Sequence, residues 1–217
     1  DWLSSGGLVD LYKRQVGWLT MILSGMIPYY LTNSIDSFSN IFFETMSGYT
    51  ATGSTILDDV EALPKSIIFW RSMTHWLGGM GIIVLAIAIL PLLGIGGMQL
   101  FSAEVPGSGI SGDKIHPRIS ATAKRLWLIY FGLTILETIA LSLAGMSFFD
   151  AMNHSMSNIA TGGFSTKNES LAYWNSIPSV QYIVIFFMIL AGTNYLLIYS
   201  AIIGNFKKLF TNTEFLW

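Results

Sequence analysis

The chain has 217 residues, of which 52% are apolar and only 11% are charged. This balance is far from that of a soluble domain of the same length and is typical of a membrane protein. The formal net charge of −2 gives no reason to expect a nucleic-acid partner. The absence of cysteine excludes disulfides, thiolate metal sites and cysteine nucleophiles, and the three histidines are far apart in sequence. We expect no metal cluster and no organic cofactor.

Four segments are apolar enough and long enough to cross a bilayer, which requires roughly 20 helical residues. They cover approximately residues 16–31, 67–92, 126–146 and 180–203. Pro28 lies near the end of the first segment, which is also the shortest. The chain begins at Asp1 with neither an initiator methionine nor a signal-peptide pattern, so we expect it to be a segment of a longer protein.

Two shorter apolar runs, FSNIFFETMSG and FFDAMNHSMSN, lie between the first and second spans and between the third and fourth. Each has 11 residues, which suits a re-entrant or buried helix better than a span. Asp36 or Ser37 could cap the first and Ser147 the second, because an N-cap side chain satisfies unpaired backbone donors. Gly48 and Asn158 are the predicted terminators.

The two halves of the chain resemble one another when the second is shifted by 110 residues. The matched pairs are Ser37 with Ser147, Phe38 with Phe148, Met46 with Met156, Ser47 with Ser157, Gly53 with Gly163, and Thr55 with Ser165. The repeated unit is therefore span, short helix, polar loop, span. We expect an all-α membrane protein with a first repeat over residues 1–110, including the start of a linker, and a second repeat over residues 111–217.

Basic residues near the spans predict the orientation. Eight lie on one side (Lys13, Arg14, Lys114, Arg118, Lys124, Arg125, Lys207 and Lys208) and three on the other (Lys65, Arg71 and Lys167). The termini and the linker are therefore expected in the cytoplasm, and the polar loops are expected to face outward. The outer side also carries an excess of acidic residues, which would concentrate cations.

The polar stretches SGYTATGST and SNIATGGFST follow the two short helices. Irregular backbone at membrane depth is tolerated only where it is buried in protein or lines a watery cavity. Glycine allows dihedral angles at which successive carbonyls can face a common axis. A set of such carbonyls can replace the hydration shell of a large monovalent cation. The pattern therefore predicts an ion-lining backbone.

These motifs resemble the Trk/Ktr superfamily of potassium transporters, and most closely its TrkH branch. FETMSGYTATGSTIL with WLGGMGIIVLAIAILP resembles the first pore repeat of that family. FSAEVPG, DKIHPRISATAKRLWLIY and AGMSFFDAMNHSMSNIATGGFST resemble its linker and second repeat. The resemblance implies a four-repeat, potassium-channel-like pore, of which two repeats are present here, and uptake of K⁺ across a bacterial inner membrane.

The resemblance also implies the ion-binding residues and the partners. The first filter strand would be Thr50, Ala51, Thr52 and Gly53, and the second Ala160, Thr161, Gly162 and Gly163. K⁺ would be the transported ion. Partners would be the lipid bilayer, a second copy of the chain in a homodimer, and a cytosolic, TrkA-like nucleotide-binding ring.

Several other polar or glycine-rich features have alternative interpretations. Glu137 in the third span could serve the ion path or could be protonated or paired within the bundle. Glu44 and Arg71 fit a scaffold salt bridge better than an ion-binding role. His75 and His154 are more typical of polar packing or of a vestibule than of catalysis. Gly78, Gly79 and Gly81 favour close helix contact.

Two short motifs are weaker. PGSGISG at residues 106–112 satisfies G-x-G-x-x-G but lacks the strand that a dinucleotide site requires, so a flexible linker is the better interpretation. Asn168–Glu169–Ser170 is a glycosylation sequon, which matters only in a eukaryotic secretory context.

Two other functions stay open from the sequence. The chain could be a two-repeat channel completed by dimerisation, or a membrane enzyme or non-transporting subunit. An enzyme usually has facing acidic or histidine residues on its spans, and here Glu137 alone fits that pattern.

Overall fold

The computed structural model describes residues 5–81, 116–193 and 195–204, and within these residues the regular structure is helical, without strands. The described residues form seven α-helices: α1 Ser5–Leu31, α2 Phe38–Tyr49, α3 Lys65–Trp76, α4 His116–Leu143, α5 Phe148–Ile159, α6 Pro178–Gly192 and α7 Tyr195–Ile202. A π-helical turn at Leu77–Gly81 follows α3, and a 3₁₀ turn at Ser170–Trp174 precedes α6.

The helices pack as two similar groups. The short helix α2 lies against α1 and α3, and the short helix α5 lies against α4 and α6. Both short helices have 12 residues and begin 110 positions apart. Helix α3 also packs against α5, so it connects the first group to the second.

Serine precedes each short helix, as the sequence predicts. Ser37 has the extended backbone of an N-cap residue but makes no side-chain capping bond. Ser147 is also extended, and its hydroxyl accepts a hydrogen bond from the Asp150 amide at 3.1 Å. The second cap therefore satisfies one of the amides that a helix start leaves unpaired, whereas the first fixes only the backbone direction.

Apolar side chains fill the space inside each group. One cluster joins α1, α2 and α3 through Ile22, Met26, Ile41 and Ile67. A second joins α4, α5, α6 and α7 through Tyr130, Leu133, Ile159, Phe187 and Tyr195. The opposite helix faces carry exposed apolar side chains, including Val16, Leu128 and Ile189, as expected of surfaces that contact lipid.

The described helices agree with the predicted spans only in part. Residues Lys124–Leu143 form a helix long and apolar enough to cross a membrane, and it is the one such helix among the described residues. The apolar helix Pro178–Gly192 is shorter. Helix α1 begins at Ser5, upstream of the predicted residue 16, and continues past Pro28. Residues 82–92 of the predicted span 67–92 lie outside the described residues, as does the PGSGISG motif.

Glycines just beyond α3 allow both short helices to approach it. A β-carbon on Gly78 would lie 2.0 Å from the carbonyl oxygen of Tyr49 at the end of α2. A β-carbon on Gly79 would lie 3.2 Å from the backbone of Ala160, just after α5. The prediction of close helix contact is confirmed for these two glycines.

Candidate functional site

Two polar loops, here called the first loop (residues 50–55) and the second loop (residues 160–165), follow α2 and α5. In each loop, the residue two positions before the aligned glycine (Gly53 or Gly163) ends the helix with the same geometry. The Ala51 amide bonds the Gly48 carbonyl at 3.0 Å, and the Thr161 amide bonds the Asn158 carbonyl at 2.8 Å. Ala51 and Thr161 have positive φ values of 51° and 57°. The two loops therefore leave their helices in the same way.

The predicted terminators Gly48 and Asn158 lie inside the last helical turn, and this detail of the prediction is wrong. Left-handed residues end both helices, but they are alanine and threonine rather than glycine. Gly48 is needed for packing, because a β-carbon there would lie 2.3 Å from the Thr74 hydroxyl. A β-branched residue such as Thr161 rarely adopts positive φ, and such strain is concentrated at functional sites.

The key glycines predicted from the repeat alignment are neighbours in space. Gly53 and Gly163 have φ values of 76° and 127°, which favour glycine. A β-carbon on Gly53 would lie 2.6 Å from the carbonyl oxygen of Gly162 and 3.5 Å from the α-carbon of Gly163. The structure thus brings the two loops together at their glycines.

The eight predicted residues differ in accessibility. Thr50, Thr52, Thr161 and Gly163 are exposed; Ala51, Gly53 and Gly162 are partly buried; Ala160 is buried. Within the described part of the chain, no group of three or more histidine, aspartate or glutamate side chains is arranged to hold a metal ion.

Equivalent serines tie each loop to the helix before it. The Ser47 hydroxyl donates to the Ser54 carbonyl at 2.5 Å, and the Ser157 hydroxyl accepts from the Gly163 amide at 3.0 Å. The repeat alignment matched these serines without revealing this role. Their pairing across 110 residues was the signal that could have identified them.

A buried ion pair lies behind the first loop. Arg71 Nε donates to Glu44 Oε1 at 2.8 Å, and both side chains are at most 1% exposed. Glu44 also accepts from the Thr55 hydroxyl and from the Ile56 amide, at 3.0 Å and 3.2 Å. The predicted scaffold salt bridge is confirmed, and it holds the end of the first loop.

The second group of helices has a corresponding set of contacts, in which a histidine takes the place of the carboxylate. His154, the equivalent of Glu44, has its Nε2 3.1 Å from the hydroxyl of Ser165, the equivalent of Thr55. The other ring nitrogen lies 2.9 Å from the Asp150 carbonyl. His75 likewise packs within the structure, with Nδ1 2.9 Å from the Ser157 hydroxyl. Both histidines therefore serve polar packing.

Glu137 lies in α4 and contacts the last turn of α5. It is fully buried, and its Oε1 accepts a hydrogen bond from Asn158 Nδ2 at 2.6 Å. Asn158 also donates to the Val184 carbonyl at 3.3 Å. Of the two interpretations, the described contacts favour pairing within the bundle.

A set of contacts, here called the loop clamp, joins the segments that follow the two loops. Asn168 accepts from the Val60 amide at 2.7 Å and donates to Asp59 at 2.8 Å, while Lys167 donates to Glu61 at 2.8 Å. The bond from Asn168 lowers the pKa of Asp59, and the bond from Lys167 lowers the pKa of Glu61. The same bond raises the pKa of Lys167. No local sequence pattern indicates this clamp, since Asp59 and Asn168 are 109 residues apart.

Comparison with known proteins places this geometry in a family. The model of the TrkH family, described as cation transport protein, matches residues 11–215. The chain belongs to the TrkH family. It is 46% identical over 194 residues to the Trk system potassium uptake protein TrkH of Salmonella typhimurium and to that of Escherichia coli K12. Each of these alignments covers 89% of this chain. TrkH-family membership makes it a membrane protein.

A solved member of the TrkH family has the same fold. The crystal structure of the potassium transporter TrkH from Vibrio parahaemolyticus matches 96% of this chain with a TM-score of 0.73 and 39% sequence identity. The chain spans about 40% of the length of that structure and of the relatives above.

Proposed function

We propose that this chain forms two of the four strands of a potassium-selective filter in a TrkH-type uptake protein of the bacterial inner membrane. In this proposal the protein is a transporter and not an enzyme. The adjacency of Gly53 and Gly162 carries the proposal, because it places two loops of matching conformation side by side. Relatives at 46% identity are potassium uptake proteins, which supports K⁺ as the transported ion.

The filter strands in this proposal are Thr50, Ala51, Thr52 and Gly53, and Ala160, Thr161, Gly162 and Gly163. Their backbone carbonyls would replace the hydration shell of K⁺. Helices α2 and α5 end directly before the loops, so their negative C-terminal ends would add a favourable field for a cation. Residues outside this chain would supply the third and fourth strands.

The proposal extends to the surroundings of the pore. The cytoplasmic termini, a homodimer and a TrkA-like nucleotide-binding ring follow from the family resemblance and from the distribution of basic residues. Residues 1–110 and 111–217 would be the first and second pore repeats, each with one span on either side of its short helix.

The test uses the full-length protein in liposomes. Rb⁺ uptake above that of empty vesicles, suppressed by external K⁺ far more than by Na⁺, is the expected result. Folded protein that gives no uptake above the empty vesicles would overturn the proposal. Uptake that Na⁺ suppresses as strongly as K⁺ would contradict the filter while leaving cation transport in place.

A further inference from the structure

Helix α3 belongs to the first repeat, yet two of its buried polar side chains contact the second loop. Arg71 and His75 are four residues apart and therefore share a helix face. Their exposed fractions are 1% and 0%. Both contact Phe164, the residue directly after Gly163: the Arg71 guanidinium carbon lies 4.2 Å from the ring centroid, and the His75 ring stacks on it at 3.9 Å.

Polar contacts hold the backbone on either side of Phe164. The Arg71 guanidinium donates from Nη1 to the Ser165 carbonyl at 3.4 Å. His75 Nδ1 lies 2.9 Å from the Ser157 hydroxyl, which accepts from the Gly163 amide. The backbone is thus connected to α3 on both sides of Phe164, at Gly163 and at Ser165.

The same guanidinium also contacts the first loop. Arg71 Nη2 donates to the Thr55 hydroxyl at 3.2 Å, and Glu44 accepts from both Arg71 and Thr55. A planar guanidinium presents donors in fixed directions, so one side chain can bond several acceptors at a defined spacing. Arg71 therefore contacts the far ends of both loops, Thr55 in the first and Ser165 in the second.

We infer that Arg71 and His75 are positioning residues that set the spacing of the two loops, and that Glu44 orients Arg71 for this role. The functional consequence rests on the proposed filter, in which the discrimination between cations depends on where the carbonyl oxygens are held. Loss of the Arg71 contacts would let the second loop shift relative to the first, and the preference for K⁺ over Na⁺ would fall.

The test must separate positioning from folding. Arg71→Met alone would leave the buried Glu44 carboxylate without its cationic partner, which destabilises a protein strongly. The double variant Glu44→Gln/Arg71→Met removes both charges and still lacks the contacts to Phe164 and Ser165. Trp70→Phe is the matched control, because it removes a hydrogen bond from α3 to the Gly25 carbonyl and none to the loops.

Two measurements on the full-length protein decide the inference. Amide hydrogen exchange over residues 160–166 is expected to be about fivefold faster in the double variant than in the wild type, and unchanged in Trp70→Phe. In liposomes, the ratio of K⁺ to Na⁺ transport is expected to fall about tenfold in the double variant, and to stay at the wild-type value in the control.

The possible outcomes are distinct. Unchanged exchange in the folded double variant would overturn the inference, and so would faster exchange with wild-type ion preference. If the wild-type protein shows no preference for K⁺, the proposed function fails, and hydrogen exchange alone then decides whether Arg71 positions the second loop.

Discussion

The carbonyl oxygen of Gly162 lies 2.6 Å from the position that a β-carbon on Gly53 would take. Real β-carbons essentially never approach a backbone oxygen so closely, so the two loops can keep this separation only if residue 53 is glycine. The positive φ of Gly53, 76°, adds a second requirement for glycine at the same position.

Gly53→Ala is therefore expected to disturb the loops more than Gly163→Ala. Alanine at position 53 meets the Gly162 carbonyl, whereas a β-carbon on Gly163 meets nothing within 4 Å. Alanine at Gly163 suffers only from its unusual φ, a cost of about 1–3 kcal/mol. The unfolding temperature of the full-length protein and its rate of Rb⁺ uptake would both fall further in Gly53→Ala than in Gly163→Ala.

Gly132→Ala is the control for these glycine variants. Gly132 lies within α4, and a β-carbon there has nothing within 4 Å. Alanine in a helix is about 0.5–1 kcal/mol more favourable than glycine, so this variant should be slightly more stable than the wild type. Equal behaviour of Gly53→Ala and Gly132→Ala would contradict the close approach of the loops.

Gly78→Ala is expected to separate α2 from the turn that follows α3. The added methyl would lie 2.0 Å from the Tyr49 carbonyl, and a helix backbone cannot yield as a flexible side chain can. The yield of monodisperse full-length protein should fall well below that of Gly192→Ala, where a β-carbon has nothing within 4 Å. Similar yields would show that α2 and the turn after α3 do not approach so closely.

The loop clamp is expected to weaken in acid. Asp59 and Glu61 have pKa values lowered from 3.8 and 4.5, because Asn168 and Lys167 bond their charged forms. A lowered pKa means that the contribution to stability is present above the unfolded-state pKa and is lost as the pH falls through the folded-state pKa. Lys167 has a raised pKa, so its own contribution is complete below 10.5 and is lost only at higher pH.

Hydrogen exchange at the Val60 amide measures this clamp, because that amide donates to Asn168. After correction for the intrinsic exchange rate, its protection should decrease as the pH is lowered from about 5 to about 3. In Asn168→Ala the protection should be small at every pH, while Glu169→Ala should resemble the wild type. Protection that is independent of pH in the wild type would contradict this prediction.

Glu137→Leu is expected to destabilise the second repeat. It removes the acceptor of Asn158 Nδ2 and leaves that amide with the longer bond to Val184. A hydrogen bond of this kind contributes about 0.5–1.5 kcal/mol to stability, so the full-length protein should unfold at a lower temperature. Glu137→Gln retains an acceptor and should lose less. Leu136→Ala, at a neighbouring exposed position, is the control, and a loss as large as that of Glu137→Leu would contradict a specific role for the carboxylate.

Local features of the fold were predictable from the sequence. The short helices were expected at residues 38–48 and 148–158 and were found at Phe38–Tyr49 and Phe148–Ile159. A serine before each apolar run and a polar, glycine-containing stretch after it are signals contained within a few residues. The ion pair of Glu44 and Arg71 was predictable because a charge within an apolar segment needs a partner.

Contacts between the repeats were not predictable in the same way. His75 and Ser157 are 82 residues apart, and Asp59 and Asn168 are 109 apart, so no local pattern links them. The start of α1 at Ser5 was also missed, because the apolar pattern that predicted the span begins only near Val16. The lining of the filter by the eight named residues stays a prediction.

The contacts of α3 with the second repeat have a consequence for biosynthesis. A ribosome delivers Arg71 and His75 to the membrane well before Ser157 and Phe164 have been translated. Until those residues arrive, the imidazole of His75 lacks its serine partner and the guanidinium of Arg71 lacks the Ser165 carbonyl. The first group of helices therefore lacks some of its native contacts until the second has been translated, and a substitution near Phe164 is expected to affect the maturation of a helix made some 90 residues earlier.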